Sequence, residues 1–142
     1  MVEIPDVVLF DVAEKDGKYV VAGTKERKEG YATVISDDGT IVSERFFEGE
    51  GDSYVSSVDV TEDDNIIFGG TTNWDFWIIK TNENLEKLWE GKFGGSDLEV
   101  LRKIVALSDE GIIAVGYTRS KEIVKYGESD GWVLRLNVDE NP

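Results

Sequence analysis

The 142-residue chain contains no cysteine and no histidine. The first absence removes disulfides and thiol chemistry. The second removes the commonest general base and the commonest transition-metal ligand together, which excludes a Ser-His-Asp triad and a zinc site with imidazole ligands. Apolar runs are short: none approaches the roughly 20 residues of a membrane-spanning helix, and Met1-Val2-Glu3-Ile4-Pro5-Asp6 has neither the basic start nor the apolar stretch of a signal peptide. A cytoplasmic protein with no membrane partner is expected. Positive charge is scarce, with 15 Lys and Arg against 30 Asp and Glu and a formal net charge of -15. Such a surface repels a phosphate backbone, so no nucleic acid is expected as a partner. Proline is also scarce, at 2 residues against 15 glycines. The glycines fall between short apolar runs, the pattern of many tight turns and an all-β chain.

What is present is a repeat. Asp63-Asp64-Asn65-Ile66-Ile67-Phe68-Gly69-Gly70-Thr71-Thr72 has an ungapped copy from Asp109 to Thr118 and an earlier one from Asp16 to Thr24. The copies begin 47 and then 46 residues apart, a spacing typical of propeller blades. Asp75-Phe76-Trp77-Ile78-Ile79-Lys80 returns as Asp130-Gly131-Trp132-Val133-Leu134-Arg135, and more weakly as Tyr31 to Ile35. Each unit parses as four short strands: an alternating one such as Tyr54 to Val60, a near-continuous apolar run such as Ile66 to Phe68 suited to burial on both faces, the tryptophan strand, and a closing strand ending at Phe47 or Phe93. Asp16-Gly17, Asp37-Asp38-Gly39, Asp63-Asp64-Asn65, Asn82-Glu83-Asn84 and Asp109-Glu110-Gly111 mark the turns between them.

These residues resemble a family of bacterial and archaeal β-propeller repeats, in which Asp-Gly-Gly-Tyr-Val-Val-Ala-Gly-x-Thr is followed by Asp-x-Trp-Val-x-Lys and by an aromatic strand ending in Gly-Gly. The likeness covers nearly the whole chain. The first unit lacks the tryptophan, and the third has a longer loop. The resemblance implies blades of four antiparallel strands and says little about function, because the repeated residues are those that build blades.

The units divide the chain into blades of about residues 6–49, 50–95 and 96–142, one propeller domain in all. The third unit lacks a closing strand, and three blades are too few for a ring of about four to eight. Closure by homo-oligomerisation is therefore expected, with a twofold dimer giving six blades. Residues 1–5 are the candidate strand that completes a neighbour's third blade. This last expectation rests on the resemblance, since in closed propellers a strand from the other terminus commonly completes the last blade. A fragment or truncated paralogue is the competing explanation.

Blade geometry sorts the loops onto two faces. One gathers Trp74, Arg119, the long segment 118–130 and the connections 48–53 and 94–99, and variable loops on a rigid scaffold are where binding usually lies. Trp74 has no copy in the other units, so a role in stacking on a sugar or anchoring a protein partner competes with a role in packing. Asp75 and Asp130 both open the tryptophan strand; they are strand openers or, alternatively, a carboxylate pair at the mouth of a central funnel. Arg119 heads the one basic stretch, which runs to Tyr126 and is either a solvated loop or a site for an anion. The acidic clusters coincide with hairpin turns and lack the spacing of a dedicated calcium loop. No catalytic residue, metal ligand or cofactor is assigned. The expected function is a non-enzymatic binding or scaffold module, with a carbohydrate-active hydrolase or lyase, or a lectin, as the alternative.

Overall fold

The structure, a computed structural model, describes residues 2–122 and 128–137. Their regular structure is all strand: β1 (Val7–Lys15), β2 (Lys18–Lys25), β3 (Glu29–Ser36), β4 (Ile41–Glu48), β5 (Ser53–Val60), β6 (Ile66–Thr72), β7 (Asp75–Thr81), β8 (Lys87–Phe93), β9 (Glu99–Ala106), β10 (Gly111–Thr118) and β11 (Asp130–Asn137). They form three antiparallel sheets in which chain neighbours pair, β1-β2-β3-β4, β5-β6-β7-β8 and β9-β10-β11. Among the described residues the third sheet has three strands. Residues 2–4, expected as an intermolecular strand, have no strand partner here, and Val2 lies beside Gly39 in the turn between β3 and β4. No helix is long and apolar enough to cross a membrane among the described residues.

The turns follow the chemistry of their residues. Asp16 and Gly17 both have positive φ, at 50° and 76°, and close the two-residue hairpin between Lys15 and Lys18, as a turn of this hand requires. Carboxylates of the acidic clusters serve the backbone: the amides of Thr40 and Gly111 donate to Asp38 Oδ1 and Asp109 Oδ1, each at 3.0 Å. Hydrogen bonds from Ser36 and Thr40 hold the Asp38 carboxyl down at about 2. In these clusters Asp38, Asp63 and Asp109 are turn-formers, each accepting a hydrogen bond from its own loop.

The second sheet is apolar on both faces. Towards the first sheet it sends Val55, Val58, Ile66, Phe68, Trp77 and Ile79, which meet Val20, Ala22, Ala32, Val34 and Phe47. Towards the third it sends Ile67, Phe76 and Ile78, which meet Leu101, Ile104, Ile112 and Ala114. Strands β6 and β7 are therefore buried almost throughout, which is why their sequences lack polar alternation. Trp77 and Trp132 are both packing residues, the latter with its ring centroid 4.8 Å from that of Phe76. Trp77 also donates its indole N–H to Glu90 Oε2 at 2.6 Å.

One irregularity recurs in all three sheets. The first strand of each carries a β-bulge against the second, leaving Phe10, Ser56 and Arg102 as the extra residue. Beside each bulge a glycine faces a backbone carbonyl: a Cβ on Gly23, Gly70 or Gly116 would lie 2.0, 1.9 or 1.9 Å from the oxygen of Val8, Tyr54 or Val100. That contact explains why glycine recurs at this place in all three units, because the obstructing atom is main chain and has no rotamer to change. Gly70→Ala is accordingly expected to destabilise the protein by about 3 kcal/mol or to abolish folding. Gly131→Ala, with nothing within 4 Å, should be neutral or stabilising by up to about 1 kcal/mol. Urea denaturation of the two variants checks the contrast, and equal effects would show that the close approach is unimportant.

Candidate functional site

The loops at one end of the sheets are tied together in pairs. The turn joining β2 to β3 accepts a bond from the start of β5, Ser53 N to Arg27 O at 2.7 Å, and the turn joining β6 to β7 accepts one from the start of β9, Glu99 N to Trp74 O at 2.6 Å. Within the second and third sheets, Asn73 N and Arg119 N donate to Asp52 O and Leu98 O, at 3.1 and 2.8 Å, tying the end of the second strand of each to the residue before the first. Arg27 and Trp74 occupy equivalent places and both have positive φ, 59° and 62°. For a bulky side chain this backbone is strained. At Trp74 the backbone is thus recruited for a structural bond while the indole stays 40% exposed.

Asp75 follows Trp74 and opens β7; its carboxylate neighbour is Glu99. A Cβ on Gly94 would lie 2.1 Å from Asp75 Oδ1 and 2.4 Å from Glu99 Oε1, so the two acids crowd the position of Gly94 from both sides. Burial and then the nearby Glu99 push the Asp75 carboxyl above its ordinary value, against the pull of Lys92. Glu99 itself is fully buried. Its Oε1 accepts from Gly95 N at 2.6 Å, and its Oε2 from Thr118 Oγ1 at 2.7 Å and Ser120 Oγ at 2.6 Å. The equivalent place in the second sheet holds Ser53, whose hydroxyl lies 2.9 Å from that of Thr72. Glu99, with its longer side chain, therefore keeps the bond to the equivalent threonine, Thr118, and also reaches Gly95 N and Ser120 Oγ.

The remaining expected site residues lie on the third sheet. Arg119 is exposed and donates from Nε to Ser129 Oγ at 3.3 Å. Asp130 is half-buried and pairs with Thr118 at the start of β11. In the basic stretch, residues 123–127 lie outside the described residues. Glu122 turns back onto Ser96, accepting from its amide at 2.5 Å and its hydroxyl at 2.7 Å. Trp74 and Asp75 are thus adjacent on one turn, while Arg119 and Asp130 frame the next connection along.

A cleft that the sequence reading did not identify opens at the same end, with a volume of about 330 Å³ and a lining of Phe10, Arg27, Tyr54, Ser56, Val100, Leu101 and Arg102. Three of these are the bulge residues. The signal for them lay in the repeat, where Phe10, Ser56 and Arg102 are spaced 46 residues apart; that they are extruded from their strands is visible only in the pairing register.

The geometry defines an all-β protein of three antiparallel sheets with its cleft and strained turns at one end. Comparison with protein-family models and with curated proteins finds no match.

Raised in the folded state, the Asp75 carboxyl contributes stability below the unfolded value of 3.8 that is lost as pH rises through its folded value. Asp75→Asn should therefore melt above the parent at pH 7, with the difference closing below pH 3.8. Thermal melts across that range check it, and an equal or lower melting temperature at pH 7 would refute the proposed repulsion.

Proposed function

We propose that this chain is a non-enzymatic binding or scaffold module, a half-propeller whose copies associate into a six-bladed ring and present the loop end to a ligand. The observation that carries the reading is the state of the two outer faces. On the first sheet, pairing aligns Val12, Val21, Thr33 and Glu44, and aligns Glu14 with Tyr19, on the side away from the second sheet. Val12, Ile41 and Phe46 are all at least 40% exposed there. On the third sheet the outward rows are Val105, Ile113 and Arg135, and Lys103, Val115 and Val133, with Val133 67% exposed. Each face joins apolar side chains to charge, Glu14 and Glu44 on one and Lys103 and Arg135 on the other, with Lys25 over the Phe46 ring at the loop end of the first. Apolar sheet faces of this kind are covered in stable proteins, and with Lys103 and Arg135 already paired to Asp11 and Asp109 it is the apolar rows that favour first-to-third packing between copies.

Catalysis is disfavoured because the acid nearest Asp75 is buried and fully occupied by hydrogen bonds, whereas a glycosidase pair needs both carboxylates open to substrate. Size-exclusion chromatography with light scattering should give a dimer at micromolar concentration. Val133→Asp should shift it to monomer with an unchanged β-sheet circular dichroism spectrum. A strictly monomeric, folded parent would refute the ring.

A lectin reading is favoured by one observation, the exposed indole of Trp74 beside the carboxylate of Asp75. Glycan-array binding lost in Trp74→Ala would support it, and binding indifferent to that change would return the residue to a role in the turn.

A further inference from the structure

We propose that the cleft at the three bulges binds a small anionic ligand, a carboxylate or phosphate group carried on a flat apolar ring. The inference rests on the binding-module reading and names the chemistry of its ligand. A β-bulge re-aims the side chain it extrudes. Here the three extra residues are an aromatic, a small hydroxyl residue and an arginine, Phe10, Ser56 and Arg102, brought to one cleft from three sheets. The scaffold at this position is repeated, yet the side chains differ in kind. That is the arrangement of a site furnished on a constant frame.

The cationic half is specific. Arg102 lies over the ring of Tyr117, with the guanidinium carbon 5.6 Å from the centroid. Among the described residues no carboxylate is within ion-pair distance of it, although acids outnumber bases two to one in the chain. Its neighbour Lys103 is already matched, 3.6 Å from Asp11. Arg27, on the opposite side of the cleft, lies 5.0 Å over the Tyr54 ring and touches Asp52 only at 3.4 Å, with both partners about half exposed. An ion pair of that kind contributes little and exchanges readily. Stacking on a ring pre-orients a guanidinium, and its planar fork matches carboxylate and phosphate oxygens.

The apolar half is formed by Phe10 and Tyr54, with ring centroids 5.8 Å apart, and by Val100 and Leu101. Phe10 is 46% exposed, an unfavourable state for a phenyl ring that a flat partner would relieve. A volume of about 330 Å³ is near the lower end of small-molecule sites, which run from about 300 to 1,000 Å³, and so suits one ring with its charged group.

The test is calorimetric titration of the full chain with phenyl phosphate, benzoate, benzyl alcohol and inorganic phosphate. Phenyl phosphate or benzoate should bind at least about tenfold more tightly than the neutral alcohol or the ring-free anion, and which of the two is tighter distinguishes phosphate from carboxylate. Arg102→Gln should weaken that binding about tenfold or more, equivalent to about 1.4 kcal/mol, with an unchanged melting temperature. Ser56 is unsuited to such a test, because its hydroxyl donates to Gly69 O and Leu101 O; Arg27→Gln, on the exposed turn, is the second variant should Arg102→Gln fail to fold, and it too should weaken binding. Absence of binding at about 10 mM, equal binding of benzyl alcohol, or full affinity in the variants would overturn the proposal. Binding kept in Arg102→Gln and lost in Trp74→Ala would overturn this cleft alone and leave the binding-module reading standing.

Discussion

An edge strand must find partners for the amides on its open side, and the way this chain solves that problem organises the three sheets. Strand β5 pairs with β6 on one side only. On the other, Val58 N donates to Asp11 Oδ2 of β1 at 3.0 Å. Strand β9 repeats the arrangement against β5, with Ile104 N donating to Ser57 Oγ at 3.1 Å and Ala106 N to Asp59 Oδ2 at 2.8 Å. Short side-chain acceptors on one inner strand therefore satisfy the exposed amides of the next, and the sheets are fixed side by side with their apolar faces already opposed. Lys103 then reaches Asp11 across the series, so all three inner strands share one neighbourhood. The bulge is what makes such close approach compatible with pairing: it bends the strand, and the glycine opposite makes room for the displaced carbonyl.

The same pattern changes at the end of the series. Lys103 and Val105 stand 46 residues after Ser57 and Asp59, and neither offers an acceptor to another inner strand. The outward side of the third sheet is instead apolar, with Lys103 and Arg135 paired to Asp11 and Asp109. A second copy packed there, as proposed above, would be held by burial and would lack the side-chain-to-amide bonds used within the chain. The proposed contact between copies would thus rest on burial alone, and burial would also have to offset the translational freedom lost on association.

Much of the fold was legible because it depends on local chemistry. Asp16-Gly17 closes a hairpin wherever it occurs between apolar runs, and the continuous Ile66-Ile67-Phe68 run identifies a strand covered on both faces. The site was less legible. Trp74 drew notice as an unrepeated aromatic, but its backbone bond to Glu99 depends on a positive φ that no residue type except glycine announces. Glu99 was passed over as one acid among 30; what distinguishes it is complete burial and three donors from a loop and two neighbouring hydroxyls. The bulges were invisible for a simpler reason. A one-residue slip preserves strand-like composition while reversing which side chains face the core, so alternation alone places Phe10, Ser56 and Arg102 on the wrong side.

The distribution of strain sharpens the distinction between frame and site. Positive φ at Asp64 and Glu110, 46 residues apart, belongs to repeated turns with their own side-chain bonds. At Arg27 and Trp74 it serves backbone links that lock the loop end to the following sheet. Locking a bulky residue into that conformation costs on the order of 1 kcal/mol, and either position would fold more easily with glycine or asparagine. Two units nevertheless place an arginine and a tryptophan there: Arg27 lines the cleft, and Trp74 is 40% exposed. The backbone requirement is satisfied in spite of these side chains, so their presence needs a second cause. At Arg27 the Tyr54 ring and Asp52 supply one; at Trp74 the ligand contact proposed above would supply it.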